Sequence, residues 1–167
     1  MIFAAGLGTR LRPLTDNMPK ALVPVAGKTM LERVILKLKD ASFHDIINIH
    51  HFGSQIIDFL RANQNFGVDI HISDERGELL DTGGGIKKAR PLLESNEPFL
   101  IHNADILTDL DLNAFYHHHL ESDADATLLT NHRKTSRYLL MNQDNRLCGW
   151  TNLSTGEVLP KELNYPS

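Results

Sequence analysis

The apolar positions of this chain fall into two rhythms. Leu31, Val34, Ile35 and Leu38 recur at i, i+3, i+4 and i+7, the spacing of one face of an α-helix. Ahead of them, Thr29 and Glu32 have capping-box spacing, which satisfies the N–H groups at a helix start. Leu112, Phe115, Tyr116 and Leu120 repeat the helical rhythm, and another helix is expected after Gly53, through about Asn63. Short apolar runs at residues 2–5, 46–49, 68–73, 98–102 and 126–131 read as strands, the first of them ended by Gly6. The glycines 83–85 are expected to precede a short helix that carries Ile86 and Ala89. Residues 138–141 and 147–150 flank Asn142-Gln143-Asp144-Asn145, a hairpin signal. The last 17 residues are weakly periodic and predict no closing element. Alternating strands and helices predict an α/β fold with a largely parallel sheet, and the length of 167 residues predicts a single domain over 1–167.

Composition narrows the class. Hydrophobic residues make up 41% and charged residues 23%, ordinary for a globular protein. No apolar run approaches the roughly 18 residues of a membrane span, so no membrane partner is expected. Residues 1–5 lack the basic start and long apolar stretch of a secretory signal. Cys148 stands alone, which excludes an intrachain disulfide and makes a cytoplasmic setting the expectation. The net charge of −4 argues against general nucleic-acid binding. Yet residues 1–40 hold seven Lys/Arg against three acids, a local +4 that suggests a localised anionic ligand. Arg33, Lys37 and Lys39 read as a solvated helix face, while Arg10 and Lys20 stand in the glycine-rich stretch that follows the first strand.

Three segments carry chemistry. In the first, Ala4-Ala5-Gly6-Leu7-Gly8-Thr9-Arg10, glycines let backbone approach a ligand, and successive N–H groups form an anion-binding concavity. An arginine binds two phosphate oxygens at once, and a lysine is a compact positive charge. The segment is neither a P-loop nor a dinucleotide fingerprint, since it lacks Gly-Lys-Ser/Thr and a third glycine. A Gly-x-Gly pair alone would serve equally well as a plain turn. The second segment, Asp81-Thr82-Gly83-Gly84-Gly85, is expected to offer free N–H groups at a helix start. The third runs through an apolar strand to Asn103-Ala104-Asp105 and delivers a carboxylate to the carboxyl edge of the sheet, where α/β ligands bind. Mg²⁺ takes oxygen ligands, commonly one or two carboxylates completed by phosphates and water, so Asp105 is the candidate metal ligand. Consecutive histidines at 117–119 point in different directions and read as structural or surface, while His50 and His51 are candidates for a place near a base.

Gly6-x-Gly8-Thr9-Arg10-Leu11, Pro13-Leu14-Thr15 and Pro19-Lys20-Ala21-Leu22-Val23-Pro24-Val25 together resemble the signature of sugar-phosphate nucleotidyltransferases, over residues 1 to about 150. The resemblance implies a Rossmann-like three-layer sandwich, the nucleotide-diphospho-sugar transferase fold, with a mostly parallel central sheet. It implies that Ala5, Gly6, Gly8, Thr9 and Arg10 hold the nucleotide and its phosphates, with Lys20 near the reacting phosphates. Thr82, Gly83 and Gly84 would contact base and ribose, with Asp81 supporting their loop. Asn103 would orient the site or meet the sugar phosphate. Residues 81–86, 98–105 and 109–111, with Ala4-Ala5 ahead of the loop, are most similar to the N-acetylmuramate 1-phosphate uridylyltransferase branch.

The implied reaction joins a nucleoside triphosphate, UTP foremost, to a sugar 1-phosphate with Mg²⁺. Arg10, Lys20 and Asp105 form the implied catalytic set, and the implied assembly is a monomer or homodimer. Guanine, thymine or cytosine as base, a hexose, heptose or phosphocholine acceptor, and a non-catalytic nucleotide-binding module stay open as alternatives. Family members continue further, through a Phe-x-Gly-Ile-like strand and a second metal-binding Asp, so a truncated domain is expected.

Overall fold

The computed structural model describes residues 1–43, 45–78 and 80–161. By their internal contacts the described residues form two compact units, residues 1–125 and the residues from 126 on.

The first unit is built in chain order from β1 (Ile2–Phe3), an antiparallel ribbon of β2 (Pro24–Val25) and β3 (Lys28–Thr29), α1 (Met30–Asp40), β4 (Asp45–Ile49), α2 (Gly53–Ala62), β5 (Ile70–Asp74), α3 (Asp81–Leu93), β6 (His102–Asn103) and α4 (Leu112–Leu120). The sheet runs β5-β4-β1-β6, with every pairing parallel. The α1 face foreseen from periodicity is the one that is buried. Leu31, Val34, Ile35 and Leu38 pack with Ile2, Ile47 and Ile49 of the sheet and with Ile56 and Leu60 of α2. Each such side chain contributes about 1.5–3 kcal/mol when fully removed from water. Thr29 caps α1 by accepting the Glu32 N–H at 3.0 Å, an interaction worth ~1 kcal/mol. The Glu32 carboxylate pairs with Lys28 at 3.2 Å.

The strand order carries the functional geometry. From β1 the chain builds outward through β4 to β5, then returns to place β6 on the opposite side of β1. The order therefore reverses at β1, and a crevice opens beyond the carboxyl ends of β1 and β6.

Several sequence expectations are corrected. The strand expected at 98–102 is paired only at His102–Asn103, because its partner β1 is itself two residues long; Phe99 and Ile101 are exposed. The glycines 83–85 lie inside α3, which starts at Asp81, and do not precede it. None of them takes a left-handed φ; Asp81 does, at 55°. Glycine is required there for close approach, since a Cβ at Gly85 would come within 2.8 Å of Glu75 Oε1. Residues 126–131 form no strand, and Leu128 and Leu129 stay exposed.

The second unit is the expected hairpin with one strand added. β7 (Arg137–Met141) and β8 (Leu147–Asn152) pair antiparallel, and Asn142 Oδ1 organises their turn by accepting from Asp144 N and Arg146 N. β9 (Glu157–Leu159) pairs with β8 and comes from the tail that its periodicity did not reveal. Turn chemistry made it: Asn152 O accepts the N–H groups of Thr155 and Gly156, and Gly156 takes φ 71°. Residues 162–167 of that tail lie outside the described residues.

Candidate active site

A cleft of about 470 Å³ lies beyond the carboxyl ends of β1 and β6, within the size range of small-ligand sites. Four pieces of backbone shape it.

The first is the turn after β1. Ala4 and Ala5 are buried, and the chain then emerges at Gly6. Gly8 takes φ 66°, and an added Cβ would meet Lys20 Cβ and Thr15 Cγ2, each at 3.0 Å. The turn is closed by the Leu11 N–H, which donates to Gly8 O at 2.9 Å, and by Thr15 Oγ1, which donates to the same oxygen at 2.8 Å. One helical turn at Thr9–Leu11 carries Arg10, exposed on the cleft. The second piece is another single turn, Lys20–Leu22, anchored by buried Pro19 and Ala21. It sends Lys20 Nζ to Asp105 Oδ2, an ion pair that crosses the cleft. Asp105 belongs to the third piece, Asn103-Ala104-Asp105 after β6, where the Ala104 N–H donates to Phe3 O at 3.0 Å. The start of α3 is the fourth and brings in Asp81 and Thr82.

Of the residues expected at the site, Ala5, Gly6, Gly8, Thr9, Arg10, Lys20, Thr82, Asn103 and Asp105 line this one cleft. Gly83 and Gly84 are not among its lining residues: Gly83 faces open space, and Gly84 packs on Leu80. His50 and His51 do not line it either. The His50 ring contacts Glu75 O at 2.6 Å, and the His51 ring meets that of Phe52 at a 48° tilt.

Sequence reasoning missed two polar lining residues, Asn48 and Glu75. Both left a signal. Asn48 interrupts an otherwise apolar run in a central strand, and Glu75 follows β5 just as Asp105 follows β6. Glu75 Oε1 accepts from Asn48 Nδ2 at 2.9 Å, and both residues are buried.

Charge is distributed to match. Arg33 is used structurally, donating to Val25 O and Ala26 O, and Lys39 donates to Phe66 O. Arg10 and Lys20 are left as cations of the basic segment that line the cleft. At the end of β5, the Arg76 guanidinium holds the Asp74 carboxyl below its usual range and also donates to Ser54 Oγ, bracing the strand end against α2. Burial pushes the His102 imidazole below its ordinary value, with the nearby Lys37 charge acting in the same direction.

The donor set suits a hard cation. Asp105 offers one partly exposed carboxylate beside cleft-lining backbone. Among the described residues no group of three or more His, Cys, Asp or Glu side chains could hold a metal alone. Such a site fits Mg²⁺, which keeps waters and shares substrate phosphates.

Comparison with known proteins agrees with this geometry. The Nucleotidyl transferase family model matches residues 1–153. N-acetylmuramate alpha-1-phosphate uridylyltransferase of Neisseria meningitidis serogroup B is 46% identical over 117 residues, which cover 70% of this chain and 50% of that protein. Mannose-1-phosphate guanyltransferase of Gibberella zeae is 38% identical over 125 residues, covering 71% of this chain and 34% of that protein. The chain thus spans half or less of the length of these curated relatives. Among solved structures, HddC from Yersinia pseudotuberculosis complexed with GMP-PN superposes with a TM-score of 0.72 at 27% identity, covering 90% of this chain and 67% of that one.

Proposed function

This chain belongs to the nucleotidyl transferase family, and on that footing we propose that its cleft transfers a nucleotidyl group from a nucleoside triphosphate, UTP by preference, to a sugar 1-phosphate. The observation that carries the reading is convergence. A glycine turn, Arg10, Lys20 and Asp105, drawn from three separated segments, line one cleft at the point where strand order reverses. The higher identity to the uridylyltransferase than to the guanyltransferase supports UTP.

In this reaction an oxygen of the sugar 1-phosphate attacks the α-phosphorus. The bond from that phosphorus to the bridging oxygen breaks, and pyrophosphate departs with the electron pair. The attacking oxygen is already anionic, so no strong general base is needed, and catalysis reduces to positioning and charge neutralisation. Backbone around Gly6 and Gly8 approaches the phosphates without a Cβ in the way. Arg10 grips the departing pyrophosphate with its planar fork, and Lys20 steadies the charge that builds at the α-phosphate. Thr82 and Asn103 line the cleft where the nucleoside and the sugar phosphate would meet it. Asp105 would hold Mg²⁺, which when bound would supply positive charge to offset the charge developing on the phosphates. Nucleoside triphosphates are cytoplasmic metabolites, and the reaction belongs in that compartment. No described helix is long and apolar enough to cross a membrane.

The test is pyrophosphate release from each of the four nucleoside triphosphates with a panel of sugar 1-phosphates and Mg²⁺. Release with UTP and one sugar phosphate above all others is the expected result. Nucleotide binding with no release for any pair would replace the reading with a nucleotide-binding module.

A further inference from the structure

A buried polar chain runs behind the cleft and ties three strand ends together. Glu75, at the end of β5, has no solvent exposure, and its Oε1 accepts from Asn48 Nδ2 at 2.9 Å. Asn48 Oδ1 in turn accepts from the Ala4 N–H at 2.8 Å. Ala4 is the residue that leads from β1 into the glycine turn. On the opposite side, the Leu80 N–H points at Glu75 Oε2 from 3.4 Å, one residue ahead of α3. Gly85 of α3 leaves no room for a Cβ against Oε1.

Chemistry gives this chain a direction. A carboxylate presents only acceptors to a neighbour, so the Asn48 amide must turn its NH₂ toward Glu75 and its carbonyl toward Ala4. The flipped amide would set acceptor against acceptor and donor against donor, losing two buried hydrogen bonds. Burying a carboxylate is costly unless it is compensated, and an apolar side chain would fill the same space without that cost. The fold keeps the carboxylate where it can select one amide orientation.

We propose that Glu75 is a positioning residue. Acting through Asn48, it fixes the exit of β1 into the glycine turn relative to the start of α3, so the two sides of the cleft keep one spacing. The coupling is a property of the free protein; its kinetic consequence rests on the nucleotidyl transfer proposed above.

The experiment has two arms. In the free chain, amide hydrogen exchange at Ala4 is followed by NMR. Glu75→Ala is expected to speed it about tenfold or more, a measurable loss of local protection. Glu75→Gln still offers Asn48 a carbonyl oxygen and is expected to stay within about threefold. The Ala4 N–H also donates to the Asn48 backbone oxygen at 3.3 Å; Asn48→Ala removes the relay without touching the charge and leaves only that longer bond, so it is expected to speed the exchange as well. The double variant must be no worse than the worse single one, because both changes cut the same link. In the kinetic arm, Glu75→Ala is expected to raise the nucleotide KM roughly tenfold with a smaller change in kcat, as a misplaced loop would. Ile35→Val, which removes a core methylene group away from the link, is expected to move neither constant. Unchanged Ala4 exchange in Glu75→Ala and Asn48→Ala, additive effects in the double variant, or a Gln variant as impaired as the Ala variant would overturn the proposal. Should the exchange pattern hold while the wild-type chain turns over no nucleotide, the coupling stands and the assigned reaction fails.

Discussion

Lys20 and Asp105 are separated by 85 residues in the chain and meet as an ion pair across the cleft. One comes from a single helical turn after the glycine loop, the other from the end of β6. Their side chains are 23% and 34% exposed, so solvent screens the attraction, and a pair of this kind is worth about 0–1 kcal/mol. Stability therefore does not explain why two opposite charges face this crevice. Both remain reachable by a ligand from the cleft, which is where their value lies.

Asp105→Asn should separate these roles. The variant keeps the side chain's shape and forfeits only a screened ion pair, so unfolding free energy should change by no more than ~1 kcal/mol. Mg²⁺-dependent pyrophosphate release should fall by about a hundredfold or more, the scale seen when a preorganised electrostatic group is removed. Urea unfolding and a coupled pyrophosphate assay measure the two effects. Near-normal turnover would remove Asp105 from the metal site.

Gly6 and Gly8 predict contrasting outcomes. Alanine at Gly8 must adopt a φ of 66° and fit a Cβ at 3.0 Å from both Lys20 and Thr15. The backbone strain alone costs about 1–2 kcal/mol, and the displaced turn should weaken nucleotide binding too. Alanine at Gly6 meets nothing within 4 Å and needs no left-handed φ, so the fold should tolerate it. A melting curve and a nucleotide titration on each variant give the comparison. If Gly6→Ala binds nucleotide as well as the wild type, the ligand does not approach that backbone closely.

Within α3 the neighbouring glycines should diverge in sign. Gly83 faces open space in a helix, where alanine gains up to ~1 kcal/mol from a less flexible unfolded chain. Gly85 would drive a Cβ to 2.8 Å from Glu75 Oε1 and 3.2 Å from Phe3, an overpacking worth roughly 1–3 kcal/mol of destabilisation. Thermal unfolding of both variants decides it, and a stabilising Gly85→Ala would contradict the packing described here.

His102 makes stability depend on pH. Burial depresses its pKa in the folded protein, so below the ordinary histidine value of about 6.5 the unfolded chain takes up a proton that the folded chain refuses. This contribution is fully present above that pH, declines as pH falls through about 6.5, and levels off below the folded-state value. His102→Gln should flatten this part of the profile. Urea midpoints of both proteins between pH 7.5 and 5.5 would show it, and parallel profiles would count against a half-buried imidazole held neutral by the fold.

Much of the architecture was legible because it depends on local physics. The spacing of Leu31, Val34, Ile35 and Leu38 dictates one apolar helix face whatever lies opposite, and Thr29 caps that helix through its own turn. Gly6-x-Gly8-Thr9-Arg10 announces a phosphate-tolerant turn in the same way, from residues that touch one another along the chain. β9 was illegible for the converse reason. Its pairing is made by the Asn152–Gly156 turn and the β8 edge, and only Val158 of its three residues is partly buried. Residues 126–131 have the composition of a strand, but composition does not supply a neighbouring edge to pair with.

The amino-acid order by itself determined the α/β class, the buried face of α1, and which short segments carry a glycine turn, cations and a strand-end carboxylate, since these follow from periodicity, turn preferences and side-chain charge. Tertiary structure alone decided that Lys20 meets Asp105, that Thr82 enters the cleft while Gly83 and Gly84 do not, and that Glu75 and Asn48 form its buried backing. Those outcomes depend on strand order and on which helix passes close to which strand end. Packing over long sequence distances sets both, and no local pattern encodes it.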